Sequence, residues 1–132
     1  MLLTGHQATD PDLMRELARA QFRKGAHADA LKTLDELKQH NPKYSSGEAH
    51  LVYARALEAL DRNDEAVEEY RALCEYFSGE EARGRLVLLL RRMGRTVDAA
   101  EVAAQILRSE RLAPKHYVNA NREWIDAARA SG

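Results

Sequence analysis

Three short stretches decide the fold of this chain: Lys24-Gly25-Ala26-His27-Ala28-Asp29-Ala30, Leu60-Asp61-Arg62-Asn63-Asp64-Glu65-Ala66 and Met93-Gly94-Arg95-Thr96-Val97-Asp98-Ala99. Each lies between two apolar stretches, and each sets an acid directly before an alanine. The alanines are 36 and 33 residues apart, a period near 34. A helix pair of that length cannot bury its apolar face alone, whereas stacked pairs bury a continuous core.

On either side of these stretches, apolar residues recur at spacings of three and four, as one face of a helix requires. The rows are Leu13, Leu17 and Ala20 or Gln21, with Met14 and Ala18 alongside; Ala30, Leu31, Leu34, Leu37; Ala49, Tyr53, Ala56, Leu57, Leu60; Ala66, Val67, Tyr70, Leu73, Phe77; Ala82, Leu86, Leu89, Leu90, Met93; and Ala99, Val102, Ala103, Ile106. A final row is Tyr117, Ala120, Trp124, Ala128. Long strand-like alternation is absent. The boundaries carry helix-start chemistry. Asp10 caps a helix whose first residue is Pro11. Ser45 with Glu48, and Ser78 with Glu81, have the spacing of a capping box. Asn63 and Thr96 are expected to cap the fourth and sixth helices, and Pro114 to open the seventh. His27 is a poor cap. Seven helices with short connections predict an all-α protein.

The chain has 132 residues, 45% of them hydrophobic, 31% charged and 6% aromatic, with a net charge of −1. That length predicts one domain with a core of its own, and the apolar content excludes a disordered tail. Twenty basic residues against twenty-one acidic ones lack the basic excess usual in a nucleic-acid binder. One cysteine, Cys74, allows no intrachain disulfide and fits a reducing compartment. The longest apolar run, Leu86-Val87-Leu88-Leu89-Leu90, is far short of the ~20 residues that span a bilayer, and Met1-Leu2-Leu3 is too short for a signal peptide. A cytoplasmic protein is expected.

With the three alanines in register, the chain resembles the tetratricopeptide repeat family. The resemblance places Ala18 and Ala54 at the small position of the first helix, with Val87 there in the third pair. It places Leu17, Tyr53 and Leu86 at the large first-helix position, and Leu34 and Tyr70 at the large second-helix position, where the third pair has Ala103. Gly25, Asp61 and Gly94 take the turn position, and Asn41-Pro42 matches the closing proline. Small residues where two helices cross let the backbones approach to ~8–10 Å. The resemblance covers about residues 11–110. It implies a right-handed α-solenoid of three helix-turn-helix repeats, about 11–43, 46–78 and 79–110. A capping helix at about 114–130 completes a single domain over 10–132, preceded by a flexible segment, 1–9. The chain is also similar to the cytoplasmic repeat module of bacterial proteins of uncharacterised role, through Leu112-Ala113-Pro114-Lys115-His116-Tyr117 and Glu123-Trp124-Ile125-Asp126. Longer relatives carry membrane-embedded segments ahead of the repeats, so this chain is expected to be the cytosolic part of a longer, membrane-anchored protein or a free cytoplasmic one.

The search for chemistry finds no catalytic constellation, and no metal or cofactor is expected. No two of His6, His27, His40, His50 and His116 are four apart, Cys74 has no partner cysteine, and no phosphate-cradling glycine loop or nucleophile motif occurs. Glu68-Glu69 and Glu80-Glu81 read as solvated faces or helix starts. Trp124 reads as a residue packed over the third repeat. The resemblance implies a concave groove lined by the first helices. There it places Arg15, Arg19, Phe22, Leu51, Val52, Arg55, Arg85 and Leu88 as peptide-binding residues, with Arg19 and Arg55 at equivalent positions. A guanidinium fork suits carboxylates, so the expected partner is another protein, through an acidic or C-terminal peptide segment. Val52 and Glu81 stand at two places where the family's carboxylate-clamp members hold their Lys/Asn set, which departs from a true clamp. The alternative to binding is that the arginines pair with Asp12, Glu16, Glu48 and Glu58 on solvated faces. No nucleic acid is expected as a partner; the alternatives to the scaffold are self-association as a weak homodimer, through an apolar edge of helix 11–24, as the assembly module of a longer protein, and, less favoured, RNA binding by a helical-repeat module.

Overall fold

The computed structural model describes residues 9–130, and no strand occurs among them. The helices are α1 Pro11–Arg23, α2 His27–His40, α3 Gly47–Ala59, α4 Asn63–Cys74, α5 Glu81–Arg92, α6 Thr96–Leu112, α7 Lys115–Ala120 and α8 Arg122–Arg129. The segment 1–9, read as flexible, lies outside the described residues except for Thr9, whose carbonyl accepts from Asn41 Nδ2 at 3.0 Å.

The three quoted stretches form the same turn three times. The residue at the predicted turn position has a positive φ in each: 83° at Gly25, 63° at Asp61 and 78° at Gly94. Its N–H donates to the carbonyl three residues back, and the next N–H to the carbonyl five residues back. These pairs are Gly25 to Phe22 with Ala26 to Gln21, Asp61 to Glu58 with Arg62 to Leu57, and Gly94 to Arg91 with Arg95 to Leu90, all at 2.8–3.0 Å. This is a Schellman closure, which satisfies the last carbonyls of a helix and turns the chain back.

Asp10 caps α1 as expected, its Oδ1 accepting from the N–H groups of Asp12 (2.9 Å) and Leu13 (3.2 Å). The other caps differ. Ser46 rather than Ser45 precedes α3, its Oγ accepting from Ala49 N at 3.1 Å. Glu80 occupies the position before α5 and makes no capping bond, so Ser78 caps nothing. Asn63 and Thr96 are first helical residues, not caps. The arginines before them, Arg62 and Arg95, instead grip Glu65 and Asp98 in the first turn, at 2.7 and 2.8 Å.

The chain divides between Ala66 and Val67 into two compact units. In the first, α2 packs against both α1 and α3, and α1 also meets α3. Its core joins Met14, Ala18, Leu34, Leu37 and Ala49, with Tyr44, Val52 and Tyr53 packed against them. The buried stripe of α1 is therefore Met14 and Ala18, while Leu13 and Leu17 are half-buried. Thr33 joins the helices by a 2.7 Å bond to Gln21 Oε1. In the second unit α8 packs on both α5 and α6. Leu86, Leu89, Leu90, Ile106 and Ile125 are fully buried there, each worth roughly 1.5–3 kcal/mol relative to exposure.

The alanines that set the register are in the interior: Ala30 and Ala66 are 0% exposed and Ala99 2%. Ala18, Ala54 and Val87, the small first-helix positions, are also fully buried. The C-terminal segment, expected as one helix over 114–130, is two helices interrupted at Asn121. Its buried residues are Val118, Ile125 and Ala128, and Ala120, expected to pack, is exposed.

Candidate functional site

In the first unit α1 and α3, the first helices of two successive pairs, lie side by side, and their polar residues share one surface. Arg15 Nη1 donates to Tyr44 Oη at 2.9 Å and lies 3.4 Å from Asp12 Oδ1. Tyr44 donates in turn to Asp12 Oδ1 at 3.1 Å. Arg19 Nη1 meets Glu16 Oε1 on its own helix at 3.1 Å and Glu48 Oε2 on α3 at 3.5 Å. The Arg55 guanidinium lies 4.7 Å above the centre of the Phe22 ring, a cation–π contact from α3 to α1. Val52 is half-buried against the core of this unit.

Arg15, Arg19, Phe22, Val52 and Arg55 thus form one surface, whereas Leu51, expected there as an apolar contact, is 9% exposed. Leu51 is a core residue, because α3 turns that side inward. Tyr44 belongs to the surface and was missed: it lies in the loop after Pro42, where no helical periodicity marks it, and reaches Arg15 only through the fold.

The remaining two candidates belong to the second unit. Leu88 is 45% exposed on α5. Arg85 is occupied on its own helix, bonding Glu81 Oε2 at 2.8 Å, with its guanidinium 5.1 Å from the centre of the Trp124 ring. Trp124 sits directly on Gly84, where a Cβ would meet its Cε3 at 2.4 Å. Trp124 is a packing residue, seated on the third pair as the sequence predicted.

Glu80, expected at a solvated face or helix start, is at the start of α5 but 2% exposed. Its carboxylate accepts from the Tyr117 hydroxyl and lies 3.4 Å from Arg83 Nη1. Its N–H donates to Asn121 Oδ1 at 2.9 Å. Burial, together with the bond to Glu80, pushes the Tyr117 phenol up to about 12. Burial pushes the Cys74 thiol up to about 11, with Arg83 acting in the opposite sense; so high a value leaves little thiolate for nucleophilic chemistry. Among the described residues no group of three metal-ligating side chains comes together, and no described helix is long and apolar enough to cross a membrane.

The repeated closures, the buried small residues and the helix order are those of a helical-repeat protein. The family model for the tetratricopeptide repeat matches residues 4–73, and the chain belongs to that family. Among solved structures it is similar to the type III secretion translocator chaperone SycD of Yersinia enterocolitica, crystallised as an alternative dimer. The TM-score is 0.69 at 16% identity, over 90% of this chain and 91% of that one. At that identity the likeness is one of fold. Curated proteins give no significant match.

Proposed function

We propose that this chain is a non-catalytic interaction scaffold, with 10–132 acting as one module, and that the α1–α3 face binds an acidic peptide segment of another protein. The observation that carries the reading is the juxtaposition of α1 and α3. Arg15, Arg19 and Arg55 come from two repeats onto one surface, with Phe22 beneath Arg55 and the half-buried Val52 of α3 proposed as apolar contacts. Arg19's bonds to Glu16 and Glu48 are exposed, the second of them long at 3.5 Å, and pairs of that kind hold little net energy. A partner carboxylate therefore displaces them at small cost. The Arg55 guanidinium already rests 4.7 Å from the centre of the Phe22 ring, so less of its freedom is lost on binding. Leu88, exposed on α5, is proposed as an apolar contact offered by the second unit by itself. The similar SycD is a chaperone of translocators, and holding a segment of another protein is the property carried over here. The setting that fits a lone, half-buried thiol is the cytoplasm.

The test is fluorescence polarisation with labelled acidic, basic and uncharged amphipathic peptides, against the wild type and Arg19→Glu/Arg55→Glu. The acidic peptide is expected to bind the wild type and to lose at least about tenfold in affinity to the double variant, at an unchanged melting temperature. Equal binding by both proteins, or binding of single-stranded RNA in place of the peptide with a steep salt dependence, overturns the reading.

A further inference from the structure

The outward side of α6 carries a second surface, in the second unit. In register with the other second helices, Ala100 stands where Leu31 and Val67 stand, and Ala103 where Leu34 and Tyr70 stand. All four of those larger residues are buried. Their loss on α6 leaves a trough of about 460 Å³, lined by Ala100, Ala103, Ala104 and Leu107 of α6 and by Ala128 and Ala130 at the end of α8. The two most exposed large apolar residues among those described, Val97 at 72% and Leu112 at 77%, stand at the two ends of α6.

The charges of this helix are arranged as an antiparallel match to themselves. Asp98 and Glu101 lie in the N-terminal half, and Arg108 and Arg111 in the C-terminal half. Glu110, the exception, is turned to α8, where Arg122 and Arg129 hold it. Glu101 and Arg108 are exposed, seven residues and so ~10 Å apart on one side of the helix, and neither pairs with a described residue. Two copies of α6 laid antiparallel about a two-fold axis near Ala104 bring Glu101 of each beside Arg108 of the other, and Val97 beside Leu112. Ala100 and Ala104 at the crossing allow close approach. An isologous contact of this kind requires a patch complementary to itself, and the reversed charges of the two halves supply that.

We infer that the α6 face and its trough are a self-association surface, covered by α6 of a second copy in an antiparallel pair held by reciprocal Glu101–Arg108 contacts. One helix face per copy is a small interface, so the dimer is weak and forms with concentration. The surface shares no residue with the peptide-binding face.

Sedimentation equilibrium of the whole chain, at low salt and rising concentration, tests this with four proteins: wild type, Glu101→Arg, Arg108→Glu and the double exchange. The wild type is expected to dimerise. Each single change turns two attractions into two repulsions and weakens association roughly tenfold or more. The double exchange restores it, because the match is rebuilt with its signs reversed. Both substituted sites are solvent-facing, so circular dichroism should be the same for all four proteins. A wild type that stays monomeric, single variants that associate as well as it does, or a double exchange that does not recover overturns the inference. Arg19→Glu/Arg55→Glu should dimerise like the wild type, which keeps this test apart from the peptide-binding one.

Discussion

Asp61 shows how a repeat tolerates a departure from its own rule. Its φ of 63° is the conformation Gly25 and Gly94 adopt at the same turn, and an L side chain there costs roughly 1–2 kcal/mol. Asp pays less than most residues because its short polar side chain bonds locally; Asp61 Oδ1 accepts from Asn63 Nδ2 at 3.2 Å. Asp61→Gly is therefore expected to raise the urea midpoint by an amount worth up to about 1 kcal/mol. Gly25→Ala should lower it by about 1 kcal/mol or more. At Gly25 and Gly94 a Cβ would meet nothing within 4 Å, so that loss is one of backbone conformation alone. The alanines obey a different constraint. Ala66→Leu adds volume at a fully buried site and should cost roughly 1–3 kcal/mol, while Ala28→Glu, at an exposed position, should fall within about 0.5 kcal/mol of wild type. Thermal unfolding of the two variants separates these outcomes, and an unchanged Ala66→Leu would mean that the crossing lies elsewhere.

Helices α7 and α8 are short, and tertiary contacts rather than helix propensity hold them in place. Three contacts do so. Glu80 receives Tyr117 and, through its N–H, Asn121. Gly84 leaves room for the Trp124 ring. Arg91 donates to the carbonyls of Ala127 and Ala128 at 2.7 and 3.1 Å, a cation at the C-terminal end of α8 where the helix dipole favours it. Tyr117→Phe leaves a buried carboxylate with one partner fewer, at a cost of about 1–3 kcal/mol. Its pH dependence distinguishes it from a simple loss of packing. The folded phenol keeps its proton above the usual 10, up to about 12, so the stabilisation it gives is complete below pH 10 and is lost as pH rises from 10 to about 12. Urea unfolding followed by Trp124 fluorescence should show a smaller loss of stability across that interval in Tyr117→Phe than in wild type. Equal losses would take Tyr117 out of the cap's stability.

For the molecule as a whole, the peptide-binding proposal carries a salt dependence. The arginines of the α1–α3 face stand among acids of the same face, Asp12, Glu16 and Glu48, so its attraction for a peptide acts at short range. At ~0.15 M salt charges are screened beyond about 8 Å. Peptide affinity should therefore weaken only modestly between low and physiological salt and fall further at high salt. What the sequence determined by itself is local and repeated: the 3.6-residue periodicity, the three turns, the alanines that must be small, and with them the helix pairs and the family. These follow from neighbours along the chain and from volumes that recur at one period. Only the tertiary structure decided which polar residues do the joining. Tyr44 reaches Arg15, Glu80 is enclosed by Tyr117 and Asn121, and Leu51 turns inward, and each depends on residues about 30 to 40 positions away or on the rotation of a whole helix. A periodic pattern specifies which side of a helix is apolar; the partner across the gap is set by how the packed helices bring distant side chains together.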